Sequence, residues 1–210
     1  RDLRVVQRAN GQELVHGVSF TLAAGACLGI VGESGSGKTL TCRSLLGLLP
    51  PTLVGEGRAE FGGIDLVHAP AEQLRQLRGS KIAMVLQQPM AAFDPLYTMG
   101  AQFRETLAAH GAYSPAQADA LAVAMFGRVR LDAPQDILRS YPHELSGGML
   151  QRCMIALALV LEPQLIIADE PTTALDAETQ FEVVQRFQEL RVQCNTAMIF
   201  VSHDLGVVQR

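Results

Sequence analysis

One octapeptide limits the fold of this 210-residue chain more than any other segment: Gly32-Glu33-Ser34-Gly35-Ser36-Gly37-Lys38-Thr39. It satisfies G-x-x-x-x-G-K-[ST], with an apolar run before it and a helical pattern after it. The order of residues has a chemical reason. Gly32, Gly35 and Gly37 let the backbone turn tightly, so that the N–H groups from Ser34 through Ser36 converge on phosphate oxygens. The helix that follows adds its positive N-terminal end. Lys38 is then expected to reach the β- and γ-phosphates of a nucleotide, and the Thr39 hydroxyl to sit on Mg²⁺.

Around this loop the chain alternates between strand and helix patterns. Strands are expected at 3–7, 14–22 and 26–31, punctuated by Asn10-Gly11 and Ala24-Gly25. A helix is expected over 38–48, closed by Pro50-Pro51, then strands at 58–61 and 81–86. Residues 99–161 are rich in Ala, Leu and Gln at helical spacing, with breaks at Pro115, Pro134 and Pro142. Two continuous apolar runs, 165–168 and 197–201, flank a helical stretch over 177–193. Such runs suit parallel strands covered on both faces. The plan is one α/β domain, with 1–87 and 162–210 forming the core and 88–161 a helical insert.

Composition removes several function classes. Seventeen basic against twenty-one acidic residues give a net charge of −4, which argues against a chain built to grip nucleic acid. The longest apolar run, 153–161, has nine residues, well short of a membrane span, and no export signal is visible at the start. Arg1 opens the chain without a methionine and Arg210 stops it within a helical pattern, so a trimmed chain is expected. Cys27, Cys42, Cys153 and Cys194 form no CxxC pair and do not cluster with histidine; reduced, mostly buried thiols are expected.

The run Leu165-Ile166-Ile167-Ala168 ends in Asp169-Glu170. A buried strand with carboxylates at its C-terminal tip delivers charge where ligands sit in open parallel sheets. Asp169 is placed to hold Mg²⁺ and Glu170 to polarise an attacking water. Nucleotide hydrolysis follows from the two motifs together. A GTPase would want an N-K-x-D segment, which is absent. Further along, Leu145-Ser146-Gly147-Gly148-Met149-Leu150-Gln151-Arg152 opens a long helix, and its serine and glycines form a second anion-binding N-terminus.

Together these segments resemble the ATP-binding cassette (ABC) ATPases, in the family's motif order and over nearly the whole chain. Gln87 stands where that family's Q-loop glutamine follows a strand. LSGGMLQR is similar to its signature, IIADEP to its Walker B segment, Ala174-Leu175-Asp176 to its D-loop, and Val201-Ser202-His203-Asp204 to its switch-histidine segment. The resemblance implies a P-loop (RecA-like) parallel-sheet core, an antiparallel β-subdomain and an inserted α-helical subdomain. It implies ATP and Mg²⁺ as cofactors and a head-to-tail dimer with an identical or sibling ATPase subunit. Each ATP would lie between one subunit's Lys38 loop and the other's Ser146, Gly147 and Gly148, with Asp176 at the interface. Gln87 would sense Mg²⁺ and the water, and His203 would contact the γ-phosphate and align Glu170. One departure concerns the base: the family's N-terminal stacking aromatic has no counterpart between Arg4 and Glu13, leaving Arg8 or an aliphatic neighbour to cover adenine.

A narrower resemblance is to importers of peptides and nickel. It rests on Tyr141-Pro142-His143-Glu144 before the signature-like segment and on Gln87-Gln88-Pro89-Met90 followed by Phe93-Asp94-Pro95. The segments 14–22, 34–42 and 91–99 are most similar to the nickel-type ATPase subunits, with dipeptide importers as the alternative. What this implies is a motor at the cytoplasmic face of the membrane, with two transmembrane permease subunits and, indirectly, an extracytoplasmic solute-binding protein. Phe93, Leu96, Tyr97, Met99 and Phe103 are candidates for the permease-docking cluster, though at least half are expected to pack within the insert. A soluble ABC ATPase of DNA maintenance would want a long coiled coil before the signature, where only about sixty residues intervene. A tandem translation factor would need two cassettes, and a non-catalytic cassette would lose Lys38, Glu170 or His203.

Overall fold

In the computed structural model, residues 1–172, 180–181, 183–185, 187–189 and 195–203 are described. Three strands, β1 (Leu3–Gln7), β2 (Glu13–Val18) and β4 (Leu53–Glu56), form an antiparallel sheet in the order β2-β1-β4. β3 (Cys27–Val31), β7 (Ile82–Val85), β8 (Leu165–Asp169) and β9 (Ala197–Ser202) form a parallel sheet in the order β3-β9-β8-β7. A two-residue ribbon, β5 (Glu60–Phe61) and β6 (Ile64–Asp65), completes the strands among the described residues.

The strands expected at 14–22 and 58–61 are shorter than their apolar content suggested, ending at Val18 and starting at Glu60. The helix over 38–48 is α1 (Lys38–Leu45), and Gly47 at φ 61° stops it before the prolines. Two elements carry no clear periodic signal: β4, beside Pro50-Pro51, and α2 (Ala71–Leu77), whose buried residue is Leu74. Of the stretch 177–193, residues 180–181, 183–185 and 187–189 are helical and the others lie outside the described residues.

The helical insert contains α3 (Met99–His110), α4 (Pro115–Arg128), α5 (Pro134–Arg139) and α6 (Gly147–Leu159), with 3-10 turns at Pro89–Ala92 and Pro142–Glu144. The prolines start elements rather than interrupt them. Pro115, Pro134 and Pro142 each occupy the first position, where the missing N–H has no helical partner to lose. Ser114 completes a capping box with Gln117 ahead of α4.

The buried strands divide their side chains between two cores at period two. Ile166, Ala168, Met198 and Phe200 join the core made by the insert, where Phe103 meets Phe126 edge to face at 5.0 Å. Leu165, Ile167, Ala197, Ile199 and Val201 join a second core with Leu45, Leu46 and Leu74. This double coverage explains why the strands read as unbroken apolar runs. The insert and the sheet share one continuous core, so α6 carries the rigidity of the sheet to its own N-terminus. A cavity of about 520 Å³ lies between Leu3, Phe20, Leu66 and Ile199, with Arg1, Arg58 and Glu60 also in its lining, away from the phosphate loop. Among the described residues no helix is long and apolar enough to cross a membrane.

Candidate active site

Parallel register assembles the site. Val31 pairs with Ser202, Val201 with Asp169, and Ala168 with Val85, so four strands end at one edge. Their continuations deliver Gly32, His203, Glu170 and Gln87 to that edge. Residues up to 171 apart in sequence (Gly32 and His203) thereby become neighbours.

At the phosphate loop the need for glycine is explicit. Gly37 takes φ 91° as the N-cap of α1, and a Cβ there would lie 2.9 Å from Val15 Cγ2 and 3.2 Å from Leu14 O. Strand β2 therefore braces the loop through contacts that sequence spacing does not announce. Lys38 is 8% exposed; its Nζ donates to the carbonyls of Gly32 and Glu33, both at 2.8 Å, and lies 3.6 Å from Glu170 Oε1. These are contacts that an incoming phosphate would exchange for its own oxygens. Ser34, Gly35, Ser36, Gly37, Lys38, Thr39, Gln87 and Glu170 line a cleft of about 210 Å³.

Three side chains meet on Glu170. Gln87 Nε2 donates to its Oε2 at 3.2 Å, His203 Nδ1 lies 3.3 Å from the same oxygen, and Lys38 faces Oε1. The Glu170 side chain is only 15% exposed. Its backbone sits at φ 47°, in the left-handed region that β-carbon residues avoid, while its N–H donates to Val201 O at 3.0 Å. The chain turns sharply off β8 at this residue, which aims the carboxylate across the strand ends.

Asp169, at the last position of β8, accepts from Thr39 Oγ1 at 3.1 Å. It is 4% exposed, and burial pushes its carboxyl above the ordinary carboxylate value; the Thr39 bond opposes this, Glu170 adds to it, and Arg43 and Lys38 hold it down. Arg43 lies one turn beyond Thr39 on α1, an i,i+4 spacing that is readable from the sequence. Because the folded value is raised, ionised Asp169 costs stability above the unfolded value, and the cost is relieved as pH falls into the carboxylate range. Asp169→Asn keeps an acceptor for Thr39 and removes the buried charge. We expect it to raise the melting temperature of the nucleotide-free protein and to lower turnover by about 10²-fold or more. A lower melting temperature, read by calorimetry, would overturn that account of Asp169.

Ser146 caps α6, its Oγ accepting from Met149 N at 3.3 Å; it and Gly147 are exposed, and Gly148 is half-buried. These residues and the Lys38 loop belong to different elements, and Ser146 and Gly148 do not line the Lys38 cleft. Tyr141 and His143 stack just upstream at 5.6 Å, and Glu144 Oε2 accepts from Tyr141 N. One turn into α6, Gln151 is 1% exposed and its Nε2 has no hydrogen-bond partner. Asp176, expected at the interface, lies outside the described residues, as do Ala174, Leu175, Asp204 and Cys194.

Of the five candidates for permease docking, Phe93, Met99 and Phe103 are core residues at 5%, 0% and 0% exposure. Leu96 and Tyr97 are exposed at 79% and 56%, joined by Met90 at 49%. Cys42 and Cys153 are buried, with thiols pushed up to about 12, whereas Cys27 is exposed, because it sits on β3 at the edge of the parallel sheet. Arg8, a candidate to cover adenine, donates through Nε to Leu53 O at 3.3 Å. Among the described residues no cluster of His, Cys, Asp and Glu could hold a metal by itself.

The family model for ABC transporters matches residues 15–173. The chain belongs to the ABC transporter family. It is an ATP-hydrolysing cassette that binds ATP. The cassette is 46% identical to the metal-staphylopine import system ATP-binding protein CntD of Staphylococcus aureus (strain NCTC 8325), over 100% of this chain and 78% of that protein. It is also 46% identical to the oligopeptide transport ATP-binding protein OppD of Haemophilus influenzae, over 92% of this chain and 60% of that one. Among solved structures, the ATP-binding cassette MJ0796, a dimer in a post-hydrolysis state with ADP and Pi, superposes with a TM-score of 0.82 at 27% identity, covering 98% of this chain and 89% of that one.

Proposed function

We propose that this cassette is the ATP-hydrolysing motor of an importer for nickel or a nickel-metallophore complex, acting at the cytoplasmic face of the membrane. The observation that carries the motor is the convergence of Lys38, Gln87 and His203 on the Glu170 carboxylate within 3.6 Å. Glu170 is the general base that polarises water. Gln87 and His203 hold its Oε2 and so aim it at the γ-phosphate. Lys38 leaves Glu33 O and Gly32 O to neutralise the β- and γ-phosphates. Ser34, Gly35, Ser36, Gly37 and Thr39 offer backbone N–H groups to the remaining oxygens.

The Thr39 hydroxyl and the Asp169 carboxylate, 3.1 Å apart, are the hard oxygen donors that Mg²⁺ takes, and a buried carboxylate with a raised proton affinity gains most from a cation. Mg²⁺ bound there, with Gln87 near it, would neutralise charge on the transferring phosphoryl group.

The exposed N-terminus of α6 suits a head-to-tail dimer, in which Ser146, Gly147 and Gly148 of one subunit close over the ATP of the other, and the D-loop Asp176 lies between them. The solved MJ0796 dimer supports this arrangement. Leu96, Tyr97 and Met90 form the surface on which a cytoplasmic helix of a permease subunit docks. ATP closes the dimer, closure draws the inserts together, and hydrolysis reopens it. The metal is bound elsewhere in the importer, by permease and extracytoplasmic solute-binding protein, and nucleic acid has no part.

The match to the metal-staphylopine protein over 100% of this chain and 78% of that one supports a metal–metallophore cargo, while the equal identity with an oligopeptide protein, over 92% and 60%, supports peptide as the second reading. Uptake of labelled nickel, free and chelated, and of a labelled dipeptide should be compared in cells carrying the whole transport operon with wild-type protein or Glu170→Gln. Loss of nickel uptake alone is the expected result. Loss of dipeptide uptake alone would transfer the motor to peptides, and no change in either would overturn the importer reading.

A further inference from the structure

His110 is the last residue of α3, on the helical insert, and both of its ring nitrogens face carbonyl oxygens. Nδ1 lies 2.8 Å from Thr106 O on its own helix, and Nε2 lies 2.9 Å from Arg78 O just after α2; His110 is exposed and both contacts lie at the surface. A carbonyl oxygen only accepts. Neutral imidazole has one N–H, so it satisfies one of the two and turns a lone pair toward the other; imidazolium satisfies both.

The core side of this contact is rigidly held. Gly79 N donates to Ile82 O at 2.9 Å and Lys81 N to Leu77 O at 2.8 Å, which fixes the direction of the Arg78 carbonyl. Gly79 takes φ 77°, and a Cβ there would fall 2.6 Å from His110 Nε2, so the imidazole lies flat on a position that only glycine leaves open. Charged groups on the packed elements are otherwise engaged. The Arg78 guanidinium donates to Leu46 O at 2.8 Å and Gly47 O at 3.1 Å. On α3, Arg104 pairs with Asp119 at 2.7 Å, and on α2 Glu72 pairs with Arg75. Glu105 on α3 and Lys81 after the bend complete the set, with the Tyr113 ring packed on Gly111; no described carboxylate forms an ion pair with His110.

We propose that His110 is a proton-dependent strap that fastens the C-terminal end of α3 to the ATP core at Arg78–Gly79. The opposite end of α3 starts two residues after the exposed Tyr97 and follows the Gln87 segment. A tight strap makes α3 a lever pivoting about its His110 end; a loosened strap lets the helix shift along the core as well. Protonation thus sets how rigidly the insert follows the nucleotide site. The strap rests on the fold and not on the substrate assigned above, so the two can fail separately.

Hydrogen exchange on the intact chain, corrected for intrinsic rates, tests it. In wild type, opening of amides at 78–82 and 107–111 should rise about tenfold between pH 5.5 and pH 8, as one charge-assisted bond is lost. His110→Ala should open these amides at both pH values and show no such change. Gly79→Ala keeps the imidazole but displaces it, and should also flatten the response. A wild-type opening that does not vary with pH, or a tenfold change that survives in His110→Ala, overturns the proposal. If both variants melt as wild type does, the flattened response cannot be ascribed to misfolding.

Discussion

Glu170→Gln is expected to lower ATP turnover by about 10²–10⁴-fold, the range supplied by a positioned general base, while ATP affinity stays within about threefold of wild type. The substitution preserves size and keeps an oxygen for Gln87 and His203, which lie 3.2 and 3.3 Å from Oε2. It also leaves the left-handed backbone at φ 47° with a side chain of the same shape. What is removed is negative charge, hence basicity toward water. Loss of that charge also lowers repulsion with the phosphates, so a closed dimer with uncleaved ATP should accumulate. Steady-state phosphate release and fluorescent-nucleotide titration check both parts. Near-normal turnover would take Glu170 out of its role, and a large loss of affinity would mean that the carboxylate holds the loop together rather than activating water.

Lys38→Ala should act on binding first. The ammonium is 8% exposed and donates two bonds of 2.8 Å to the loop's own carbonyls, with Glu170 Oε1 at 3.6 Å. Truncation removes the charge proposed to meet the β- and γ-phosphates, together with the ammonium that lies 3.6 Å from Glu170 Oε1. Charge-assisted bonds of this kind contribute about 1.5–3 kcal/mol each, so ATP affinity should fall by about 10²-fold, with turnover lost. Calorimetric titration with ATP measures it; affinity within threefold of wild type would exclude Lys38 from the phosphate contact. Lys38→Arg should not rescue, because a planar guanidinium cannot occupy a pocket closed by Gly32 O and Glu33 O at 2.8 Å.

The contrast between these two variants separates what sequence and structure each contribute. Lys38 is readable from eight consecutive residues, because its partners are the backbone of the same loop. The role proposed for Glu170 rests on Gln87 and His203, which lie 83 and 33 residues away in the chain. From sequence, their joint role followed only from resemblance to a family. In space it follows from parallel pairing of β7, β8 and β9, whose register brings three strand ends to one edge.

The same division runs through the insert. The structure turned the expected breaks at Pro115, Pro134 and Pro142 into element starts, but the helical character of 99–161 and the helix opening after Ser146 were legible. Which aromatics are exposed was not: Phe93, Met99 and Phe103 turn into the core while Leu96 and Tyr97, on the intervening turn, do not. Hydrophobicity alone ranks all five alike, and burial depends on which face the neighbouring helices cover. The strap at His110 was equally hidden, because its acceptors are backbone carbonyls and carry no residue signature.

By itself, then, the sequence determined the phosphate loop, the buried parallel strands, the helical character of 99–161 and the family, because each is set by contacts within a few residues or by a motif in order. Only the tertiary structure decided that Gln87 and His203 share one oxygen of Glu170, that Asp169 is buried against Thr39, that β2 braces Gly37, and that α3 is tied to the core at Gly79. These depend on strand register and close packing between segments far apart in the chain, and the energy of such contacts is not written at any single position.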